Sequence, residues 1–307
     1  MVVRSFTICL LILFLAFLEP ARGAELAIVL SERGGVYAEF AEQLGKSLAG
    51  TSWRVTAVVT PNELTRNTDL RRAELWVSVG SDATRSVLAH GQAPALFATL
   101  LPRLSFEQLL SEHTANRPRG GITALVLDQP LNRQVHLIQQ LFPGKKRLGV
   151  LVGPETRHLG SRLAQTAASY GLSLEIEDAG DDAAVVPAVN RLLARADILL
   201  ALPESTVYSR HNVRPLLLAS YRFQRPLVGY SVAFVNAGAI AALYSTPAQL
   251  ARQTAETLLS GRKAGTTILF PEKFVLTYNR QVAQSLAIDL PDEGVVLRAL
   301  ESRRQDP

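Results

Sequence analysis

From residue 26 the chain alternates short β-branched or aliphatic runs with amphipathic stretches, and no other feature narrows its fold as much. A strand buried on both faces reads as a continuous apolar run, and joining it to a parallel neighbour takes a crossover, usually a helix. Apolar runs at 26–30, 54–59, 75–79 and 95–99, with helical patterns at 37–48, 63–71 and 83–90 between them, therefore predict one doubly wound unit. Residues 101–120 break the rhythm: they are polar, hold Pro102, Pro118 and Gly120, and admit only a short helix over 105–112. This stretch reads as a surface excursion leading to a crossing between lobes.

Runs at 122–127, 148–152, 172–177, 198–201 and 227–229 restart the alternation, with helices over 157–170, 184–194 and 212–223. Another helix is expected to open at Asp128 and Pro130, where the carboxylate caps orphan amides and proline fits the first turn. The remainder reads as an apolar segment at 239–243, a helix at 247–259 closed by Gly261, an extended run at 268–278 and a short helix at 280–286.

The fold class is thus expected to be α/β, with two doubly wound parallel-sheet lobes joined by three crossing segments. One core rarely serves a chain of 307 residues, and an apolar content of 48% can fill two. The expected division is a leader over 1–23, an N-terminal lobe of 24–121 with 235–267, and a C-terminal lobe of 122–234 with 268–307. Open α/β sheets bind ligands beyond the carboxyl ends of their strands, so function is sought in the loops there, facing a cleft between the lobes.

Arg4, the apolar run over 6–18 and the small residues Ala21 and Gly23 stand in the order of a secretory signal peptide, with cleavage expected after Gly23. The run is about thirteen residues, short of the roughly twenty that span hydrocarbon. Cys9 is the only cysteine and leaves with the leader, so neither a disulfide nor a thiolate-bound metal is expected, and no lipoprotein cysteine stands at the cleavage point. The expected location is the periplasm.

The formal charge of +5 falls by one when Arg4, Glu19 and Arg22 leave. The basic clusters Lys145-Lys146-Arg147 and Arg71-Arg72 border apolar runs with no aromatic platform between them, as solvated loop ends do, so no nucleic-acid partner is expected. His90, His113, His136, His158 and His211 are dispersed, with no HExxH pair and no acidic partner at ligand spacing, so no metal is expected. There is no G-x-S-x-G elbow, no P-loop and no G-x-G-x-x-G after a strand. The chain is expected not to be an enzyme and to need no cofactor.

Five segments carry a resemblance. They are Gly121-Ile122-Thr123-Ala124, the stretch 141–151 from Leu-Phe-Pro-Gly through Gly-Val-Leu, Gln253-Thr254-Ala255 on a helix, Gly261-Arg262-Lys263 at its exit, and Pro271-Glu272-Lys273-Phe274. Together they resemble the ABC transporter substrate-binding proteins of the type 1 periplasmic binding fold, in the branch associated with aromatic amino acids. The likeness covers most of the chain beyond the leader and contains no catalytic signature. The chain departs from the family's pattern at 101–120, where the family has a short valine-rich passage. It departs again at Ala124, where glycine is usual, at Gly153, where asparagine is common, and at Ser231, a position often acidic.

The candidate ligand residues follow from strand ends. In Ser31-Glu32-Arg33-Gly34-Gly35-Val36-Tyr37 the glycines, Gly35 among them, allow close backbone approach and Tyr37 offers a stacking face, although a plain β-to-α turn reads the same way. In Gly80-Ser81-Asp82-Ala83-Thr84 the backbone amides and the Ser81 and Thr84 hydroxyls suit a carboxylate, or Ser81 or Asp82 caps the helix. The resemblance turns Pro203-Glu204-Ser205-Thr206 toward the cleft, with Ser205 and Thr206 as contacts or as caps. Gly153-Pro154-Glu155-Thr156 and Tyr230-Ser231 end strands at equivalent positions, so Glu155, Tyr230 and Ser231 complete the candidates, with Tyr208 and Tyr244 as further rings near loop ends. The charges Glu32, Arg33, Asp82, Glu155 and Glu204 are mixed in sign, which suits a zwitterion or a neutral polar solute.

The resemblance implies a monomeric clamshell that closes on a small-molecule ligand, amino-acid-like and polar or zwitterionic, and docks on an inner-membrane ABC permease. Two other readings stay open at this point: a periplasmic sensor or accessory protein that presents its ligand to a membrane sensor kinase, and a scaffold whose cleft has lost its ligand. Neighbouring genes for a permease and ATPase, or for a kinase, separate the first two.

Overall fold

The computed structural model of the chain describes residues 23–261 and 265–302. Residues 1–22 of the expected leader, with its apolar run and Cys9, and the Arg262-Lys263 part of the expected helix exit lie outside the described residues. One sheet holds β1 (Ala24–Leu30), β2 (Trp53–Val59), β3 (Leu75–Val79), β4 (Leu96–Thr99), β5 (Ile122–Leu125) and β11 (Thr266–Leu269) in the order β11-β5-β4-β3-β1-β2, with every pair parallel. The other holds β6 (Arg147–Val152), β7 (Ser173–Asp178), β8 (Ile198–Leu200), β9 (Leu227–Gly229), β10 (Ala241–Tyr244) and β12 (Val275–Tyr278) in the order β12-β10-β9-β8-β6-β7. Its pairs are parallel except β10 with β12.

Every residue of β3 and β4 is buried, because helices cover both faces of the sheet. On one face α1 (Gly35–Leu48) and α9 (Pro247–Leu259) bring Phe40, Leu44 and Leu250 onto Ile28 and Val77. On the other, α2 (Ser81–His90) and α3 (Arg103–Glu112) bring Val87, Phe106 and Leu109 onto Val29 and Ala98. In the second lobe α4 (Leu131–Leu141), α5 (Gly160–Ser169) and α11 (Glu293–Ser302) cover one face through Ile138, Leu163 and Leu300. The opposite face takes Leu192, Leu216 and Phe234 from α6 (Asp182–Arg195), α7 (Val213–Arg222) and α8 (Val232–Ala237). The helix α10 (Arg280–Ser285) completes the set. The edge strand β7 carries Glu175 and Glu177, ion-paired to Arg195 and Arg191 of α6, and a charged edge resists pairing with another chain.

Sheet membership moves the expected exchanges between lobes. The strand β5, expected to open the second lobe at residue 122, lies in the first sheet between β4 and β11, and the chain leaves that lobe only after Leu127, whose amide still donates to Leu101 O at 3.0 Å. The apolar segment expected in the first lobe supplies β10 of the second sheet, so the return crossing is at Ser245 and Thr246. Thr246 then opens α9 with a reciprocal capping box to Gln249, and Pro247 occupies its first turn. The extended run at 268–278 divides into β11 in one sheet and β12 in the other. Pro271, which has no N–H to give a ladder, stands between them.

The three crossings are stitched to one another. Gln129 Nε2 donates to Ser245 Oγ at 2.9 Å, and Ser245 Oγ donates to Lys273 O at 2.6 Å. Arg133 of α4 is buried, donates to Gln129 Oε1 at 2.6 Å and to Pro271 O at 2.8 Å, and lies 4.3 Å from the Phe274 ring centroid. Burial lowers its pKa to about 10, which leaves it charged at neutral pH. From the first lobe, Gln253 of α9 donates to Phe270 O and accepts from Glu272 N. Side chains of both lobes therefore hold the crossings as a single strip.

Candidate functional site

A cavity of about 280 Å³ lies between the lobes at the carboxyl ends of both sheets. The first lobe contributes Tyr37 near the start of α1, Pro102 after β4, and Asp128 and Gln129 after β5. The second contributes Pro203 after β8, Tyr230 and Ser231 after β9, and Tyr244 and Ser245 at the end of β10. Much of the wall is apolar, with a few convergent polar groups, as small-molecule sites usually are. A smaller chamber of about 50 Å³ adjoins it, sharing Asp128, Gln129, Gln134 and Pro203. Its other walls include Arg103 of α3 and Thr156 and Arg162 of the second lobe. The excursion at 101–120 thus contains a full helix that begins at Arg103, and its first turn forms part of the site.

Of the residues expected from sequence, Tyr37, Tyr230 and Ser231 are in the cavity wall, and Tyr244 joins them. Tyr208 does not. It is buried behind Tyr230, their ring centroids 6.1 Å apart and edge to face, and Phe234 completes the cluster. Gly35 stands just before the wall residues Val36 and Tyr37, and its φ of 55° makes the left-handed turn into α1.

The turn Gly80–Thr84 is already used by the protein itself. Ser31 Oγ, reaching across from the end of β1, accepts from Ala83 N at 3.0 Å and so caps α2, the role expected of Ser81 or Asp82. Thr84 is fully buried, its hydroxyl donating to Gly80 O and bonded to Ser78 Oγ, so it does not face a ligand. Ser81 is half-buried at the first position of α2, outside the cavity wall. A side chain at Gly80 would place Cβ 2.4 Å from Ser31 Oγ and 2.6 Å from the Tyr37 ring, at a φ of 96°. Gly80→Ala is therefore expected to cost about 2 kcal/mol or more and to displace Tyr37, read as a lower melting temperature.

Glu155 and Ser205 are likewise spent on one another's loops, as is the backbone amide of Thr206, and none of the three lines the cavity. Ser205 donates to Glu155 through both N and Oγ. Glu204, 2% exposed, accepts from Glu155 N, Thr156 N, Thr156 Oγ1 and Thr206 N. Gly153 leaves the space for this: a Cβ there would lie 2.7 Å from the Glu204 carboxyl carbon. Arg33 is ion-paired to Glu63 at 2.6 Å, away from the cavity. Of the mixed charges expected around the cleft, none lines the larger cavity; Asp128 is the ionisable carboxylate that does.

The model of the ABC transporter substrate binding protein family matches residues 59–302. The chain belongs to that family. Among solved structures it is similar to a conserved domain protein of Vibrio cholerae O1 biovar El Tor, at 20% identity over 90% of this chain and 98% of that one, with a TM-score of 0.58. It is also similar to an ABC domain from Streptococcus pneumoniae in complex with L-Trp, at 16% identity over 90% and 98% of the two chains, with a TM-score of 0.61. A third is the ligand-free, open form of a Clostridium difficile substrate-binding protein with adhesive properties, at 12% identity over 88% and 96%, with a TM-score of 0.64. These similarities establish the type 1 periplasmic binding fold. No curated protein matches the chain.

In this substrate-binding protein Asp128, the expected cap of α4, does not cap it: Pro130 stands at the cap and there is no side-chain cap bond. Asp128 Oδ2 instead accepts from Arg103 N at 2.6 Å, at the first turn of α3. Burial raises its carboxyl pKa to about 6, against the lowering pull of that backbone bond and of the Arg103 charge. Arg103 itself is held by Glu107 at 2.7 Å. Burial also raises Tyr230 to about 12, helped by Asp128, so its phenol stays a neutral donor and acceptor. Applying the strand-end rule to β5 as well as to its neighbours would have singled out Asp128 from sequence.

Proposed function

We propose that this protein is the periplasmic component of an ABC import system and closes on a small zwitterion with an aromatic or apolar body. The observation that carries this reading is the cavity drawn from both lobes, with rings from Tyr37, Tyr230 and Tyr244 around a single carboxylate, Asp128. A ligand ammonium pairs with Asp128, the Ser231 and Ser245 hydroxyls orient its polar end, and the tyrosines cover its apolar part. Contact with both lobes at once favours the closed form, which docks on an inner-membrane permease. The sequence of the expected leader supports export to the periplasm.

The test is a thermal-shift screen of the chain from Ala24 against amino acids, nucleosides, short carboxylates and sugars. A saturable rise with an amino acid bearing an apolar or aromatic side chain, cancelled by Ser231→Trp, is expected. No saturable rise with any compound, or a rise unchanged in the variant, sinks the proposal. An ammonium bound at Asp128 favours the charged carboxylate, so titration calorimetry should show affinity holding above about pH 6 and falling roughly tenfold per unit below it. Affinity independent of pH between 5 and 8 would remove Asp128 from the ammonium site.

A further inference from the structure

The helix α7, on the outer face of the second lobe, buries Leu216, Leu217, Ala219 and Ser220. Arg214, Leu218, Tyr221 and Arg222 fall at i, i+4, i+7 and i+8, a single stripe, and all four are exposed. Leu218 is 56% exposed and Tyr221 49%, and Phe223, just past the helix end, is 38% exposed. Scattered exposed apolar side chains are ordinary, whereas a group of them set among cations on one ridge is the make-up of an element that rests in a membrane interface.

Along the sequence around the stripe the charge has one sign. From 205 to 255 the chain has no Asp or Glu. Neither Arg214 nor Arg222 is in an ion pair among the described residues. The neighbouring carboxylates are occupied: Asp182 at the start of α6 accepts from Asn212 Nδ2 at 2.7 Å, and Asp197 pairs with Arg147 at 2.8 Å and lies 3.9 Å from Arg225. The side chains stand out from a convex helix rather than lining a groove, so a deformable surface fits them better than a rigid acidic protein face. No residue of the stripe lines the interlobe cavity, so contact here leaves the cleft free.

We propose that the α7 ridge docks the second lobe on an anionic phospholipid bilayer, with Arg214 and Arg222 on lipid phosphates and Leu218 and Tyr221 at the acyl boundary. The contact is weak and electrostatically driven, in keeping with a few cations and a few apolar side chains.

The test is co-sedimentation of the chain from Ala24, which contains both sheets whole, with vesicles of phosphatidylglycerol and phosphatidylcholine or of phosphatidylcholine alone. Binding to the anionic vesicles only, lost at high salt, is expected. The double variant Arg214→Gln, Arg222→Gln should bind about thirtyfold more weakly, and Leu218→Ser should also weaken binding. Both change exposed side chains, and an unchanged melting temperature would show that the fold is intact. Arg71→Gln with Arg72→Gln removes the same charge from an exposed turn of the first lobe and should bind like the parent. Equal binding to both vesicles, no binding to either, or equal losses in the two double variants would overturn the proposal.

Discussion

Asp128→Asn is expected to change the melting temperature little at pH 4 and to raise it by about 5–10 °C at pH 8. Burial raises the folded-state pKa of Asp128 from the ordinary 3.8 to about 6. The protonated side chain therefore favours the fold below the unfolded value, and that contribution is lost as pH rises through 6. About two units correspond to about 3 kcal/mol carried as a cost at neutral pH and above. Asparagine removes the cost and keeps an acceptor for Arg103 N. Melts of the ligand-free chain and the variant at several pH values read the difference directly; a shift of equal size at pH 4 and pH 8 would mean that Asp128 is not desolvated. A carboxylate held against the preference of the fold fits a residue kept for binding.

Glu204→Ala is expected to lower stability by about 3 kcal/mol or more, since it takes the buried acceptor from four donors, three of them backbone amides. Glu204→Gln should fall between the two, because one amide oxygen remains. Gly153→Ala should also destabilise the parent, through the 2.7 Å approach of its Cβ to the Glu204 carboxyl carbon. With Glu204 already shortened to alanine that contact is gone, so the second substitution should cost much less. The double-mutant cycle in denaturant reads this coupling, and additive losses would show that Gly153 and Glu204 do not share the space.

Most elements were legible from residue periodicity because each strand and helix writes its burial into its own residues. The runs at 75–79 and 247–259 coincide with β3 and α9 residue for residue. The short helix expected over 105–112 falls inside α3, whose start at Arg103 depends on Asp128, a residue 25 positions away in the chain. The cavity wall could be anticipated where a loop turns a large side chain into the cleft, as at Tyr37 and Tyr230, and the small Ser231 follows Tyr230 into it. Sequence alone did not say which polar residues would bond among their own loops instead of facing the cavity. The side chains of Thr84, Glu155 and Ser205 and the backbone amide of Thr206 bond among their own loops, and only the fold brings Glu204 against Gly153 or Ser31 against the first turn of α2.

By itself, the sequence determined the α/β alternation, two cores and the absence of a recognisable catalytic motif, since hydrophobic period and local turn chemistry act over a few residues. Tertiary structure alone decided which sheet each strand joins. An apolar run such as 122–125 suits either sheet equally, and its place is set by pairing with partners such as Thr266–Leu269, far along the chain. The same long-range closure took Asp128 from a supposed helix cap to the carboxylate of the cavity, because its solvation depends on what both lobes bring around it.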